Sequence, residues 1–225
     1  MKIATWNIER LKHFSKQREI EQICAELEAD ILVLAETDNR ITVGNLNCYE
    51  SDTLPANCEV VPGKTIEYKS TERRVTIYSK HKIVSRIDTF DNKTALAVEL
   101  ELPIGSVIVY GVIIGILGNR DISFKDDLEK IVNDIQRISK LGNLVVCGDF
   151  NCSFSDGYYF TKQGRETLQN AFDECGMTIV TAGCKECIDH IAIANELMDN
   201  SKTKALYEWN REKNLSDHKG IMVEI

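Results

Sequence analysis

Leu144-Val145-Val146-Cys147-Gly148-Asp149-Phe150-Asn151 is the stretch whose reading decides the fold. Four apolar residues run into Gly-Asp-Phe-Asn, the pattern of a buried strand that stops abruptly. Asp149 and Asn151 stand two residues apart at its carboxyl end, on one face. A carboxylate there can hold a hard cation or a water, and a carboxamide can donate to an anionic oxygen. The same eight residues also describe a strand entering an ordinary Asx-type turn, so the surrounding chain has to decide.

The nearest neighbours are helices. Leu128, Ile131, Ile135 and Ile138 form the apolar stripe of a helix that Ser123 is expected to cap and Gly142-Asn143 to end. After the strand, Thr161 starts a second helix, with Leu168, Ala171, Phe172 and Cys175 buried, closed by Gly176. The amino-terminal part repeats the arrangement. A strand at Lys2–Asn7 precedes a helix opened by Ser15, with Ile20, Ile23, Cys24 and Leu27 at helical spacing. Ile31 to Glu36 then runs apolar on both faces, as a fully covered strand does in layered α/β folds.

Between these parts, residues 39–70 carry Pro55, Pro62 and mixed signals, which predicts short strands and surface loops. Arg73–Tyr78 and Ile83–Phe90 look like neighbouring strands, and 83–90, 94–102 and 106–114 like a three-stranded antiparallel meander. Short strands follow at 177–180, 187–193, 205–209 and 221–225. Roughly ten strands and three helices, with no repeat or linker, predict one domain over residues 1–225. That many strands exceeds one comfortable sheet. Two mixed sheets face to face with helices outside, an α/β/β/α sandwich, fit best.

Composition narrows the function. The chain has 225 residues, 43% hydrophobic and 28% charged, with a formal net charge of −8. It lacks the overall basic balance of a protein that grips duplex DNA unaided. No apolar run approaches the ~18 residues needed to span a bilayer, and Met1 leads straight into a strand. Eight cysteines without a secretory signal predict free thiols and a cytoplasmic location; a monomer is expected. Cys184-x-x-Cys187 has no second paired motif to complete a zinc site, and its thiols read as loop residues.

Polar groups recur at strand ends: Asn7, Glu36, Asp149 with Asn151, Asp189 with His190, and Asp217-His218. Each alone is commonly a cap or a solvated group. Together in one layered fold they mark a ligand site, because ligands gather at strand ends there. Glu36 is the best single ligand for Mg2+, with Asp217 assisting and Mn2+ as the alternative ion. Asp149 can orient and deprotonate a water, while Asn7 and Asn151 donate to ligand, carboxylate or phosphate. His218 paired with Asp189 would be held protonated and offer charge to a phosphoryl group.

Trp6-Asn7-Ile8, Leu34-Ala35-Glu36-Thr37, Gly148-Asp149-Phe150-Asn151, Ile188-Asp189-His190-Ile191 and Ser216-Asp217-His218 resemble, in order and spacing, the endonuclease/exonuclease/phosphatase superfamily. The resemblance runs from residue 3 to the C-terminus. It implies a four-layer sandwich with a magnesium-dependent site, Glu36 on the metal, Asn7 and Asp217 supporting it, and an Asp189–His218 pair. Arg74 resembles a polar residue preceding the family's central strand, a candidate substrate contact. The family usually has a His or Tyr late in the strand matching Val107–Ile113. That slot falls at Val112 here, and Tyr110, two residues earlier on the same face, is the expected substitute.

The resulting expectation is a magnesium-dependent phosphoesterase acting on phosphodiesters, nucleic acid among them. The alternatives are a phosphomonoesterase for a small or lipid phosphate, and a silent binding module that keeps the fold. His13 and His81 read as surface histidines, and His190 as packed on the strand face opposite Asp189. Lys12, Lys16 and Arg18 read as a solvated helix face. Tyr158-Tyr159-Phe160 suits base stacking or helix docking equally.

Overall fold

A computed structural model describes residues 1–12, 14–119, 122–198 and 203–225, so His13 lies outside the described residues. The element order is β1 (Lys2–Asn7), α1 (Gln17–Glu26), β2 (Ile31–Asp38), β3 (Asn47–Glu50), β4 (Asn57–Val61), β5 (Lys64–Glu67) and β6 (Glu72–Ser79). Then come β7 (Ile83–Ile87), β8 (Leu96–Leu102), β9 (Gly105–Ile113), α2 (Ile122–Ile138), β10 (Leu144–Asp149) and α3 (Lys162–Glu174). The chain ends with β11 (Met177–Ile179), β12 (Asp189–Ala194), β13 (Ala205–Trp209) and β14 (Gly220–Glu224).

Two six-stranded mixed sheets result, in the orders β13-β14-β1-β2-β6-β3 and β11-β12-β10-β9-β8-β7, with β4-β5 as a separate ribbon. The first and last strands pair antiparallel, Ile3 opposite Val223. The sheets pack on each other through Val33, Val75, Ile77, Val109, Val145, Ile191 and Ile221. Outside them, α1 covers the first sheet with Ile20 and Cys24 against Trp6, Leu32 and Leu34. Helices α2 and α3 cover the second with Leu128, Ile135, Leu168 and Phe172 against Val146 and Phe150. The four expected layers are present.

Several local expectations change. Ser15 does not cap α1: a 3-10 turn at Phe14–Lys16 precedes the helix, whose cap position is Lys16 without a side-chain bond. Ser123 lies inside α2. Thr161 does cap α3, its hydroxyl accepting from the Gly164 amide. β6 and β7 are not neighbours. They belong to different sheets, because the chain crosses between layers after Ser79. The meander β7-β8-β9 forms as expected.

Strand direction explains where function can sit. β1 and β2 run parallel, joined over α1, and β9 and β10 run parallel, joined over α2. Their carboxyl ends share one edge of the sandwich. β6, β12 and β14 run antiparallel to those strands and begin at that edge. Residues remote in sequence therefore converge there.

Candidate active site

Side-chain alternation carries the inner face of each strand out to that edge. In β1, Ile3 lies between the sheets, Trp6 and Ala4 face α1, and Asn7 continues the inner row. In β10, Val145 and Cys147 lie inside and Val146 and Phe150 outside, so Asp149 points inward. In β12, Ile191 and Ile193 are inside and Ala192 outside, which places Asp189 in and His190 out. Gly148 makes the arrest of β10 feasible. Its φ is 140°, and a Cβ there would overlap the Val112 carbonyl oxygen. Only glycine tolerates both conditions.

Glu36 needs a different device. Alternation from Leu32 and Leu34 would send it toward α1. Its backbone instead has φ 46°, and the β2–β6 ladder skips the Glu36–Arg74 pair. With the strand turned there, both side chains line the cleft. A non-glycine residue with this φ is strained, and such strain concentrates at functional sites. Asn151 is in the same region, at φ 47°.

The result is a cleft of about 280 Å3 whose walls include Asn7, Glu36, Arg74, Asp149, Asn151, Asp217 and His218. Asn7 Nδ2 donates across the sheets to Asp149 Oδ2 at 3.1 Å. The Asn151 amide donates to Asp149 Oδ1 at 2.8 Å, and Asn151 Nδ2 to Oδ2 at 3.3 Å. Arg74, 3% exposed, pairs with Glu36 at 3.1 Å and keeps a buried Nε–H without a protein partner. His218 Nδ1 meets Asp189 Oδ2 at 2.6 Å, while its Nε2 lies 4.0 Å from Asp149 Oδ2 and 3.6 Å from Asp217 Oδ1. Ser216 Oγ donates to the Asn7 carbonyl and accepts from the His218 amide, at 2.6 and 3.1 Å, fixing the loop to β1.

Electrostatics divides the labour. Burial pushes the Asp149 carboxyl up to about 7, with His218 opposing and Asp189 adding to the rise. For His218, burial disfavours the charged ring, but the Asp189 and Asp149 charges and the Asp189 hydrogen bond outweigh it and raise the ring to about 10. His218 is therefore an imidazolium at neutral pH, beside a carboxyl poised near it. Asp149, Asp189 and His218 bring their ligand atoms within 4.8 Å of one another. A protonated ring committed to Asp189 is a poor ligand, so this trio is better suited to handling charge. Glu36, Asp149, Asp217 and Glu9 give the cleft an all-oxygen donor set. That chemistry fits a hard divalent cation and not a soft one.

The structure thus brings together Asn7, Glu36, Arg74, Asp149, Asn151, Asp189, Asp217 and His218. Tyr110 is a correction. β9 alternates with Val107, Val109 and Gly111 inside, so Tyr110 and Val112 face the helices. The Tyr110 hydroxyl donates to Asp134 Oδ2 of α2 at 3.1 Å, and neither residue lines the cleft. Sequence reasoning missed Glu9, Arg10 and Tyr68, which line it, and put Lys12 on a solvated helix face although it lines the cleft too; Tyr159, left open between base stacking and helix docking, is on the cleft wall. Glu9 could have been found two residues past Asn7, whose Oδ1 accepts from the Glu9 amide at 2.8 Å. Tyr68 could not: it follows the β4-β5 ribbon, which carries no such signal. Cys184 and Cys187 are buried free thiols.

Comparison with known proteins gives the family. The endonuclease/exonuclease/phosphatase family model matches residues 4–218. No curated protein matches the chain in sequence. Among solved structures, the 3' phosphatase NExo from Neisseria bound to a product DNA hairpin is similar at TM-score 0.72 and 18% identity, over 100% of this chain and 99% of that one. An AP endonuclease from Archaeoglobus fulgidus is similar at TM-score 0.69 and 14% identity, over 99% and 98%. Humanized D. rerio TDP2 is similar at TM-score 0.69 and 13% identity, over 99% and 97%. At such identities the structures share the fold, and the family model spans nearly the whole site. The chain belongs to the endonuclease/exonuclease/phosphatase family, whose enzymes hydrolyse phosphoester bonds.

Proposed function

We propose that the chain is a magnesium-dependent phosphodiesterase that cleaves P–O bonds by in-line attack of water. The observation that carries the reading is the His218 imidazolium, braced by Asp189 at 2.6 Å and facing Asp149 across 4.0 Å in one cleft with Glu36. Asp149 takes the proton of the attacking water; a carboxyl raised to about 7 by burial suits a general base at neutral pH. Asn7 and the Asn151 amide hold that carboxylate from two sides and fix its direction. The His218 imidazolium offers its Nε2–H to the phosphoryl oxygens and balances the charge that gathers there. Arg74, which lines the same cleft, adds a second positive charge. A divalent cation held by Glu36, with Asp217, would polarise the phosphoryl group and shield the departing oxygen.

No described helix is long and apolar enough to cross a membrane. The test is hydrolysis of bis-p-nitrophenyl phosphate and p-nitrophenyl phosphate with Mg2+, Mn2+ or chelator. Diester turnover that chelator abolishes is expected. Glu36→Gln should raise the Mg2+ concentration for half-maximal rate at least tenfold. Preference for the monoester would move the assignment to a phosphomonoesterase. Absence of turnover on both, with no Mg2+-dependent rise in Tm, would favour a silent binding module.

A further inference from the structure

The cleft does not end at the carboxylates. It opens onto a second hollow of about 350 Å3, lined by Leu117, Gly118, Asn119 and Tyr159. Leu117, Gly118 and Tyr159 border both hollows, so the two form one continuous trough. Tyr159 is 43% exposed. A large aromatic side chain left on the rim of a catalytic cleft has an open face for a partner.

Tyr159 is also held. Its backbone has φ 46°, which a non-glycine residue adopts only when its surroundings impose it. Asn119 Nδ2 donates to the Tyr159 carbonyl at 2.6 Å and to the Asn151 carbonyl at 2.9 Å. One amide therefore ties the rim to the loop that carries the phosphate-handling groups. Behind it, the Tyr158 ring packs on Tyr159 with centroids 5.1 Å apart. Lys213 Nζ donates to the Tyr158 hydroxyl at 2.8 Å and sits 4.7 Å over its ring. Gly118, at φ 89°, packs beside the ring: a Cβ there would lie 3.5 Å from Tyr159 Cε1.

We propose that Tyr159 is a base-stacking platform, and that the substrate is a nucleotidyl ester whose base, next to the scissile phosphate, lies on this ring. The proposal rests on the phosphodiesterase reading and names its substrate class. A nucleobase offers the flat π-face that fits such a shelf; a polyol phosphate offers none. Both N–H groups of the Asn119 amide are engaged with backbone carbonyls. Among the described residues of this hollow, recognition is by stacking and tolerates any base.

The experiment compares two esters with the same leaving group: thymidine 5'-(p-nitrophenyl phosphate) and methyl p-nitrophenyl phosphate, both with Mg2+. The wild-type chain should have the lower KM for the thymidine ester. Tyr159→Ala should raise that KM roughly 5- to 100-fold, the span of one lost base–aromatic stack, with kcat within about twofold. It should leave the methyl ester unchanged. Tyr159→Phe and Tyr159→Trp should behave as wild type, and Tm should not move. Equal losses on both esters, a Phe variant as impaired as Ala, or wild-type kinetics that ignore the thymidine group would overturn the platform while leaving the phosphodiesterase intact. A wild-type chain that cleaves neither ester refutes the phosphodiesterase reading itself, and the platform with it.

Discussion

Asp189→Asn isolates the charge that makes His218 a cation. In the native site the Asp189 carboxylate lies 2.6 Å from Nδ1, with Asp149 and Asp217 at 4.0 and 3.6 Å from Nε2. Together they hold the ring near 10 against the burial that would lower it from 6.5. A rise of that size corresponds to about 5 kcal/mol of preference for the protonated folded state. Because the folded-state value lies above the unfolded one, this stabilisation is whole below pH ~6.5 and lost as pH rises through about 10. Asparagine keeps the size and one acceptor but removes the nearest charge, while the two other carboxylates stay. One adjacent opposite charge is worth roughly 1–3 pKa units, so the variant ring should titrate that much lower. The readout is histidine-selective NMR of the full chain, with His218→Gln assigning the resonance. The alkaline limb of kcat/KM should fall by the same interval. A His218 resonance that titrates as in wild type would refute the pairing, and with it the cationic role assigned to the ring.

Three further outcomes follow from the same geometry. Gly148→Ala puts a Cβ onto the Val112 carbonyl at φ 140° and should cost roughly 2–5 kcal/mol by urea unfolding, with turnover lost as Asp149 is displaced. Tyr110→Phe should leave kcat unchanged and lower stability by only about 1 kcal/mol, since Asp134 keeps the Phe90 amide at 2.7 Å and Arg137 at 2.6 Å; a lost turnover would restore Tyr110 to the site. His190, buried and pushed down to about 4 by desolvation, resists protonation, so its contribution is present above pH ~6.5 and lost as pH falls through about 4. The stability difference between wild type and His190→Asn should therefore shrink by up to about 3 kcal/mol over that window; taking the difference cancels Asp149, whose raised carboxyl acts with the opposite sign.

The layers were legible because β2 and β10 are continuous apolar runs and striped helices separate the strands, a pattern that a covered sheet satisfies. The convergence of Asn7, Asp149 and Asp189 was legible for the same reason: period-two alternation places each on the inner row of a strand that ends or starts at one edge. Tyr110 failed by that very rule. The face it shares with Val112 is the helix-packed face, and only the inner positions Val109 and Gly111 between the sheets reveal which face that is. Glu36 shows the opposite failure. Its apolar run and final carboxylate advertised a site, yet strict alternation points it at α1, and a left-handed φ that no residue pattern announces is what turns it to the cleft. Tyr68 was hidden and the role of Tyr159 left undecided because their positions depend on a ribbon and a loop whose paths are set by single side-chain ties, Arg10 stacked 4.7 Å over Tyr68 and Asn119 bridging two carbonyls. Strand periodicity therefore locates the groups that act on the phosphate, whereas the walls that select what carries the phosphate come from ties between loops, and such ties have no period to read.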